Sequence, residues 1–300
     1  MKVMVTGGTG FIGSYVVDRL VSEGHEVTIL ARNPNTVAGF FEHPRIKFVE
    51  GTLTTGDAIR ASLRGKDACI HIALGWGDTA VEMAMADTVP SLRIFQTATE
   101  FGVKHLIYTS SIAAFGDSRK VYTDDTAVRP TGLYGATKAA TESYLLAMAA
   151  ESGVRSNVVR PGYTFGGPVV AGASIYTDRK LPNIVESAVR GEPISVTRND
   201  GTQFIWAGDL ARVYSSVLTS TVDREFFTAV SDDFMSWEEI ARLAVAHTGS
   251  SSKIVVHDSD IDSAIGRNDV SAIERSFGLR FDSREHMVKH IAFLADRARV

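Results

Sequence analysis

The 300-residue sequence holds a single cysteine, Cys69. One thiol excludes an internal disulfide framework. Its setting in the apolar stretch Ala-Cys-Ile-His-Ile-Ala marks it as a buried, inert group. Basic blocks are missing as well. Lys+Arg total 31 against 35 Asp+Glu, a formal net charge of −4, so no nucleic-acid partner is expected. No apolar run approaches the length of a membrane span, and none is expected to cross a bilayer. The first motif begins at Lys2, which leaves no room for a signal peptide; with the lone thiol this fits a reducing cytoplasm. Low-complexity tracts and repeats are absent. The histidines lack zinc-ligand spacing, so no metal is expected: His71 lies in a strand, His25 at a turn, His105 at a strand start, and His247 and His257 read as surface groups.

What is present is ordinary for a soluble globular chain: 44% hydrophobic and 22% charged residues, enough for a sizeable core in one large domain or two intimate ones. Residues 2 to 13, Lys-Val-Met-Val-Thr-Gly-Gly-Thr-Gly-Phe-Ile-Gly, organise the rest. Val3 to Val5 reads as a short buried strand. Ser14 to Glu23 reads as a helix, with Val16, Val17, Leu20 and Val21 apolar and Gly24 placed to end it. Strand, glycine turn and helix form the setting that a dinucleotide fingerprint requires. Gly7 permits the tight turn, Gly10 lets the backbone approach a pyrophosphate, and Gly13 lets helix and strand pack closely. The N–H groups of Phe11, Ile12 and Gly13 open the helix, where the partial positive charge favours phosphate.

Strands and helices then alternate at the spacing of βαβ units. Further strands are expected at Glu26–Ala31, Ile46–Val49, Ala68–Ala73, His105–Ser110 and Ser156–Arg160, and helices at Gly56–Leu63, Val81–Phe101 and Gly135–Glu151. The strands lack alternation, as expected when helices cover both sheet faces. An α/β fold with a doubly wound parallel sheet (Rossmann) follows, with ligand at the strand C-terminal ends. The second strand ends Ala31-Arg32-Asn33 without an acid. A carboxylate there would hold ribose hydroxyls, whereas Arg32 suits a 2′-phosphate, so NADP is expected over the alternative, NAD. Thr52 and Leu53, after the third strand, are placed near the adenine. Ala73 opens a glycine-punctuated loop in which Trp76 either closes over a ligand or packs on the surface. The long helices around Val81–Phe101 and Gly135–Glu151 are apolar on more than one face, which suggests a homodimer through them.

The fifth strand delivers Ser110-Ser111, and the next helix begins Leu133-Tyr134-Gly-Ala-Thr-Lys138. Tyr134 and Lys138 are four apart and share a helix face. A phenol is a poor base at neutral pH, with a reference pKa near ~10; a nearby ammonium and a cationic nicotinamide favour the phenolate. Tyr134 is then the proton mover, Ser111 the partner of the substrate oxygen, and Lys138 a donor to the nicotinamide ribose.

With these pieces the sequence resembles the extended short-chain dehydrogenase/reductases, in particular the NAD(P)-dependent epimerase/dehydratase family. The resemblance rests on Thr6–Gly13, His71-Ile-Ala73, Tyr108–Ser111, Tyr134–Lys138, Arg160-Pro-Gly162 with Phe165-Gly166, and Phe204–Ala211, and covers about residues 1 to 222. It implies that Ser111, Tyr134 and Lys138 are catalytic, Ser111 rather than Ser110 because it stands five before Phe115-Gly116. It implies that the stretch Arg160–Phe165 lies beside the nicotinamide, with Pro161 among the cofactor-binding residues. It also implies a dinucleotide-binding domain over 1–165, to which the chain returns at about 203–222, and a smaller C-terminal α/β substrate domain over 166–300. There Phe226–Val230 reads as a strand and Ser236-Trp-Glu-Glu239 as a capping-box helix start.

Some positions depart from the sugar-nucleotide members of that family. The acid pair of dehydratases is replaced by Ser-Ser-Ile, and Asp124-Asp125 reads as a solvated turn. Thr202-Gln203 stand where an arginine often clamps a diphosphate, and Arg198 is near. A substrate without a nucleotide diphosphate is therefore expected: a sugar-like or other small hydroxy or carbonyl compound. The expected activity is hydride transfer between such a compound and the cofactor. The alternative is a sugar or nucleotide-sugar epimerase with tightly bound cofactor. A third reading, a protein that holds the dinucleotide without turnover, is disfavoured by the intact Ser111, Tyr134 and Lys138.

Overall fold

The computed structural model describes residues 1–116, 121–175, 178–259 and 267–299. Its centre is a seven-stranded sheet in which every pairing is parallel. The strands are β1 (Lys2–Thr6), β2 (Glu26–Ala31), β3 (Ile46–Glu50), β4 (Ala68–His71), β5 (His105–Thr109), β6 (Arg155–Pro161) and β7 (Phe226–Ala229). Their spatial order is 3-2-1-4-5-6-7. The chain runs outward from β1 in one direction and from β4 in the other, so the crevice between the C-terminal ends of β1 and β4 is the switch point of a doubly wound sheet. Strand β7 belongs to this sheet through its pairing with β6, although sequence alone put that segment in the C-terminal portion.

Helix α1 (Phe11–Ser22) buries Val16, Val17 and Leu20 completely beneath β1 and β2. Each such side chain stabilises the packed state by roughly 1.5–3 kcal/mol relative to exposure. Helix α2 (Gly56–Leu63) covers the opposite face with Ala58, Ile59 and Leu63. Helix α3 has three parts: Ala80–Met83, a π turn at Ala84–Thr88, and Val89–Glu100. Pro90 sits just inside the last part. It has no N–H to give the carbonyl of Ala86, and the ladder widens where that bond is lost. Helix α4 (Leu133–Ser152) ends at Gly153, which takes the left-handed conformation with φ +71.

A second core gathers Phe165, Phe204 and three helices: α5 (Lys180–Arg190), α7 (Trp237–Thr248) and α9 (Arg284–Ala298). Beside them Ile194–Thr197 pairs in parallel with Ile254–His257. Helix α6 (Ala207–Thr219) returns under the main sheet against α1, and α8 (Ser271–Phe277) packs Phe277 on Phe227 of β7 at 4.9 Å. At the start of α7, the Glu239 N–H donates to Ser236 Oγ at 3.1 Å, which is the serine half of the expected capping box; the Glu239 carboxylate turns instead to Arg284. Among the described residues no helix is long and apolar enough to cross a membrane.

Candidate active site

The glycine turn closes on itself at the C-terminal end of β1. Gly7 has φ +71, and a Cβ there would lie 2.7 Å from the Ala73 nitrogen. Its carbonyl accepts from Gly10 N–H at 2.9 Å, and a Cβ on Gly13 would meet that carbonyl at 2.0 Å. Among the described residues no side chain caps α1. The first-turn N–H groups of Phe11, Ile12 and Gly13 have no acceptor among the described residues, while Ser14 N–H bonds Gly10. A cradle of this kind fits a pyrophosphate. The side chains of Phe11 and Ile12 face elsewhere: Phe11 is buried edge-on against Tyr15, and Ile12 packs on the core. Only their backbone is offered to a ligand.

The other expected contact residues lie at or just past the C-terminal ends of the parallel strands. Arg32, past the end of β2, is exposed and in no ion pair among the described residues. Thr52 is exposed, with its hydroxyl bonded to those of Thr54 and Thr55, and Leu53 packs against the core beneath the crevice. Ala73 N–H donates to Thr6 Oγ1 at 3.2 Å, and Pro161 is buried at the end of β6.

Ser111, Tyr134 and Lys138 come together beyond the end of β5. Ser111 lies beside Tyr134 and acts to lower its pKa, and its hydroxyl accepts from Ala113 N–H at 3.1 Å, while Ser110 is buried. Lys138 is buried one turn below Tyr134, its Nζ 5.8 Å from the Tyr134 ring centroid and 5.1 Å from that of Tyr108. In the protein alone, burial raises the Tyr134 pKa above its ordinary value; Ser111 opposes this and the charge of Asp87 adds to it. Burial lowers the Lys138 pKa, against the pull of Asp87 and Glu142.

Asp87 is not singled out by sequence reasoning. It is wholly buried, and its Oδ2 lies 3.3 Å from Lys138 Nζ. An acid inside an apolar helical stretch gives no sequence signal of its own; Pro90, three residues on, is the readable mark. The sequence reads His71 as a strand residue and as part of the family resemblance, without a role of its own. It is buried and neutral, its pKa pushed down to about 3 by burial and by Lys138. Thr6 Oγ1 accepts from two backbone N–H groups, so it donates to His71 Nδ1 at 2.6 Å. His71 Nε2–H then donates to Ser91 Oγ at 2.8 Å, and Ser91 donates to the Asp87 carbonyl at 2.6 Å. This chain of bonds links the glycine turn to the π turn.

Helix α4 presents Tyr134, Lys138 and Glu142 at successive turns on one face. Glu142 takes Arg160 Nε and Nη2, each at 2.8 Å, so the arginine before Pro161 is a buried structural partner. Trp76 is 66% exposed, and its ring is tilted by 32° over that of Tyr134 with centroids 6.2 Å apart.

One expectation changes. Asp124 is not a solvated turn: its Oδ1 accepts from the N–H and hydroxyl of Thr228 at 2.8 and 2.7 Å, tying the loop to β7, because the edge strand needs an acceptor there. Asp125 is exposed. Gln203 is buried and ties Asn268 and Ser231 to the start of the returning segment through their backbone groups. Arg198 is exposed and paired with Asp258 at 2.7 Å. Cys69 is buried, with its thiol pushed up to about 12.

Comparison with known proteins shows what the chain and its fold are similar to. The UDP-glucose 4-epimerase of Streptococcus mutans serotype c is 29% identical over 155 residues, 48% of this chain and 46% of that protein. The 3-beta-hydroxysteroid dehydrogenase of Mycolicibacterium neoaurum is 27% identical over 178 residues, 55% and 48% of the two chains. The chain thus spans about half the length of these curated relatives. Among solved structures, the UDP-glucose 4-epimerase of Thermotoga maritima, with UDP-glucose, superposes with a TM-score of 0.82 at 21% identity, covering 99% of both chains. The UDP-glucuronic acid 4-epimerase of Bacillus cereus, in complex with NAD, gives 0.85 at 16% identity over 99% of this chain and 100% of that one. Residues 3–227 match the NAD dependent epimerase/dehydratase family, and the chain belongs to it.

Proposed function

We propose that this chain is an NAD(P)-dependent oxidoreductase that moves a hydride between a nicotinamide cofactor and a small hydroxy or carbonyl compound. The observation that carries the reading is the meeting of Ser111, Tyr134 and Lys138 beside an uncapped glycine turn at the switch point. The backbone N–H groups of Phe11, Ile12 and Gly13 would hold the pyrophosphate, with Gly7 and Gly10 giving room. Thr52 and Leu53 would border the adenine, and Ala73 and Pro161 the nicotinamide end. Arg32 would take a 2′-phosphate, which favours NADP; NAD, bound by the Bacillus cereus relative, is the alternative.

The cofactor, when bound, supplies or accepts the hydride. Tyr134 carries the proton: in the reducing direction its hydroxyl gives H⁺ to the substrate oxygen, and in the reverse direction the phenolate takes it back. Ser111 hydrogen-bonds the same oxygen and orients it. Lys138 holds a positive charge under the ring and so stabilises the phenolate. The commitments of Arg198 to Asp258 and of Gln203 to backbone groups support a substrate without a nucleotide diphosphate. Exposed Val81, Met85 and Tyr144 on α3 and α4 support a homodimer.

Incubating the purified protein with NADPH or NADH and a panel of small carbonyl compounds tests the reading. Stoichiometric loss of cofactor absorbance with product formation is expected. Substrate conversion by tightly retained cofactor, with no net absorbance change, would assign the same site to epimerisation instead.

A further inference from the structure

The Asp87 carboxylate serves two elements at once. Its Oδ2 stands 3.3 Å from Lys138 Nζ, and its Oδ1 accepts from Gly75 N–H at 3.1 Å. It is wholly buried, and its backbone carbonyl receives the Ser91 hydroxyl. The π turn that carries it also shapes what packs against it. A Cβ on Gly75 would lie 1.8 Å from the Ala86 oxygen, so only glycine lets the loop come this close. The next residue is Trp76, whose ring covers that of Tyr134. The rest of the loop is fixed locally: Asp78 and Thr79 N–H groups donate to Glu82 Oε2, and Glu82 N–H donates to Thr79 Oγ1.

The geometry points to Asp87 as a positioning residue for the reaction: one carboxylate oxygen keeps Lys138 an ammonium under Tyr134, while the other anchors the Gly75–Trp76 loop over the same ring. The inference rests on the roles proposed for Tyr134 and Lys138. An ammonium stripped of water tends to lose its proton unless a counter-charge holds it. Around Lys138 the candidates are few. Glu142 is committed to Arg160, His71 is neutral, and Tyr108 and Tyr134 offer only ring faces. Asp87 alone among them is an anion without another cationic partner in the described residues. Its charge also favours the protonated form of Tyr134, the form that donates to a carbonyl oxygen.

Asp87→Asn separates the two roles, because the amide oxygen still accepts from Gly75 while the charge is gone. The expected result is a kcat lowered at least about 10-fold with KM little changed, and an alkaline limb of the kcat–pH profile moved down by a unit or more as Lys138 loses its proton. Gly75→Ala disturbs the loop anchor instead, so KM rises while the pH profile stays in place. A measurement on the unaltered protein stands beside these in case Asp87→Asn does not fold. Carbon-13 NMR of the lysine Cε atoms, assigned with Lys138→Met, is expected to show Lys138 protonated at neutral pH; a neutral Lys138 there overturns the inference. So does an Asp87→Asn enzyme with unaltered kcat and pH profile. Tyr134→Phe serves as the control. If it retains turnover, the underlying reading falls and this inference with it. If it is inactive while Asp87→Asn behaves as wild type, only the role of Asp87 falls.

Discussion

Glu142 stands one helical turn beyond Lys138, and its carboxylate grips Arg160 on the neighbouring strand through two bonds of 2.8 Å. Arg160 is itself enclosed by the rings of Phe115 and Phe226, at 4.7 and 4.2 Å. The pair locks α4 to β6, and with it the face that carries Tyr134 and Lys138. Breaking one partner leaves a buried charge without compensation. Glu142→Gln is expected to destabilise the protein by about 3–5 kcal/mol. Urea unfolding of both proteins checks this, and a loss under about 1 kcal/mol would show that the pair carries little.

Arg32 is expected to read the cofactor. A charge-assisted hydrogen bond contributes about 1.5–3 kcal/mol, or roughly 10- to 150-fold in affinity. Arg32→Ala should weaken NADPH binding by that factor and leave NADH binding nearly unchanged, as measured by fluorescence titration. Equal losses for both cofactors would remove the phosphate from that side chain.

Trp76 has a large apolar ring in the open beside Tyr134. Tryptophan in that position gains by covering a bound ligand. Trp76→Ala is expected to raise KM several-fold with kcat much less affected, in steady-state kinetics on the substrate that the carbonyl panel identifies. A variant with unaltered KM would leave Trp76 as a surface residue only.

Three buried histidines set an acid limit to stability. His71 and His105 titrate at about 3 and His290 at about 4, each lowered from 6.5, chiefly by burial. Below pH 6.5 the unfolded chain takes up protons that the native state refuses, so stability falls as the pH drops from there towards the native values. Each histidine contributes a slope of up to about 1.4 kcal/mol per pH unit. Unfolding free energies measured from about pH 7 down to about pH 4.5 should decline with a steepening slope, and His105→Gln should flatten it. A constant stability across that range would contradict the neutral assignment.

Much of the site was legible because it depends on local order. Gly7 to Gly13 and Tyr134 to Lys138 are short spacings whose geometry follows from one turn and one helix face. The strand Glu26–Ala31 and the helix Gly56–Leu63 fall where the pattern puts them, since a doubly covered sheet leaves continuous apolar runs. What escaped depends on distant partners. Asp87 matters because a lysine fifty-one residues later is folded against it. Asp124 looks like a loop acid until β7 arrives beside it. Phe226–Ala229 reads as a strand, but nothing local says which sheet it joins; pairing with β6 decides that.

The proposed chemistry stands or falls with the Tyr134 hydroxyl as the carrier of the proton. Tyr134→Phe removes that oxygen and keeps the ring against Trp76. Turnover with NADPH and a carbonyl substrate, measured beside cofactor affinity, is predicted to fall by at least about 100-fold while the cofactor Kd changes little. Undiminished turnover in this variant would overturn that role and the reaction built on it.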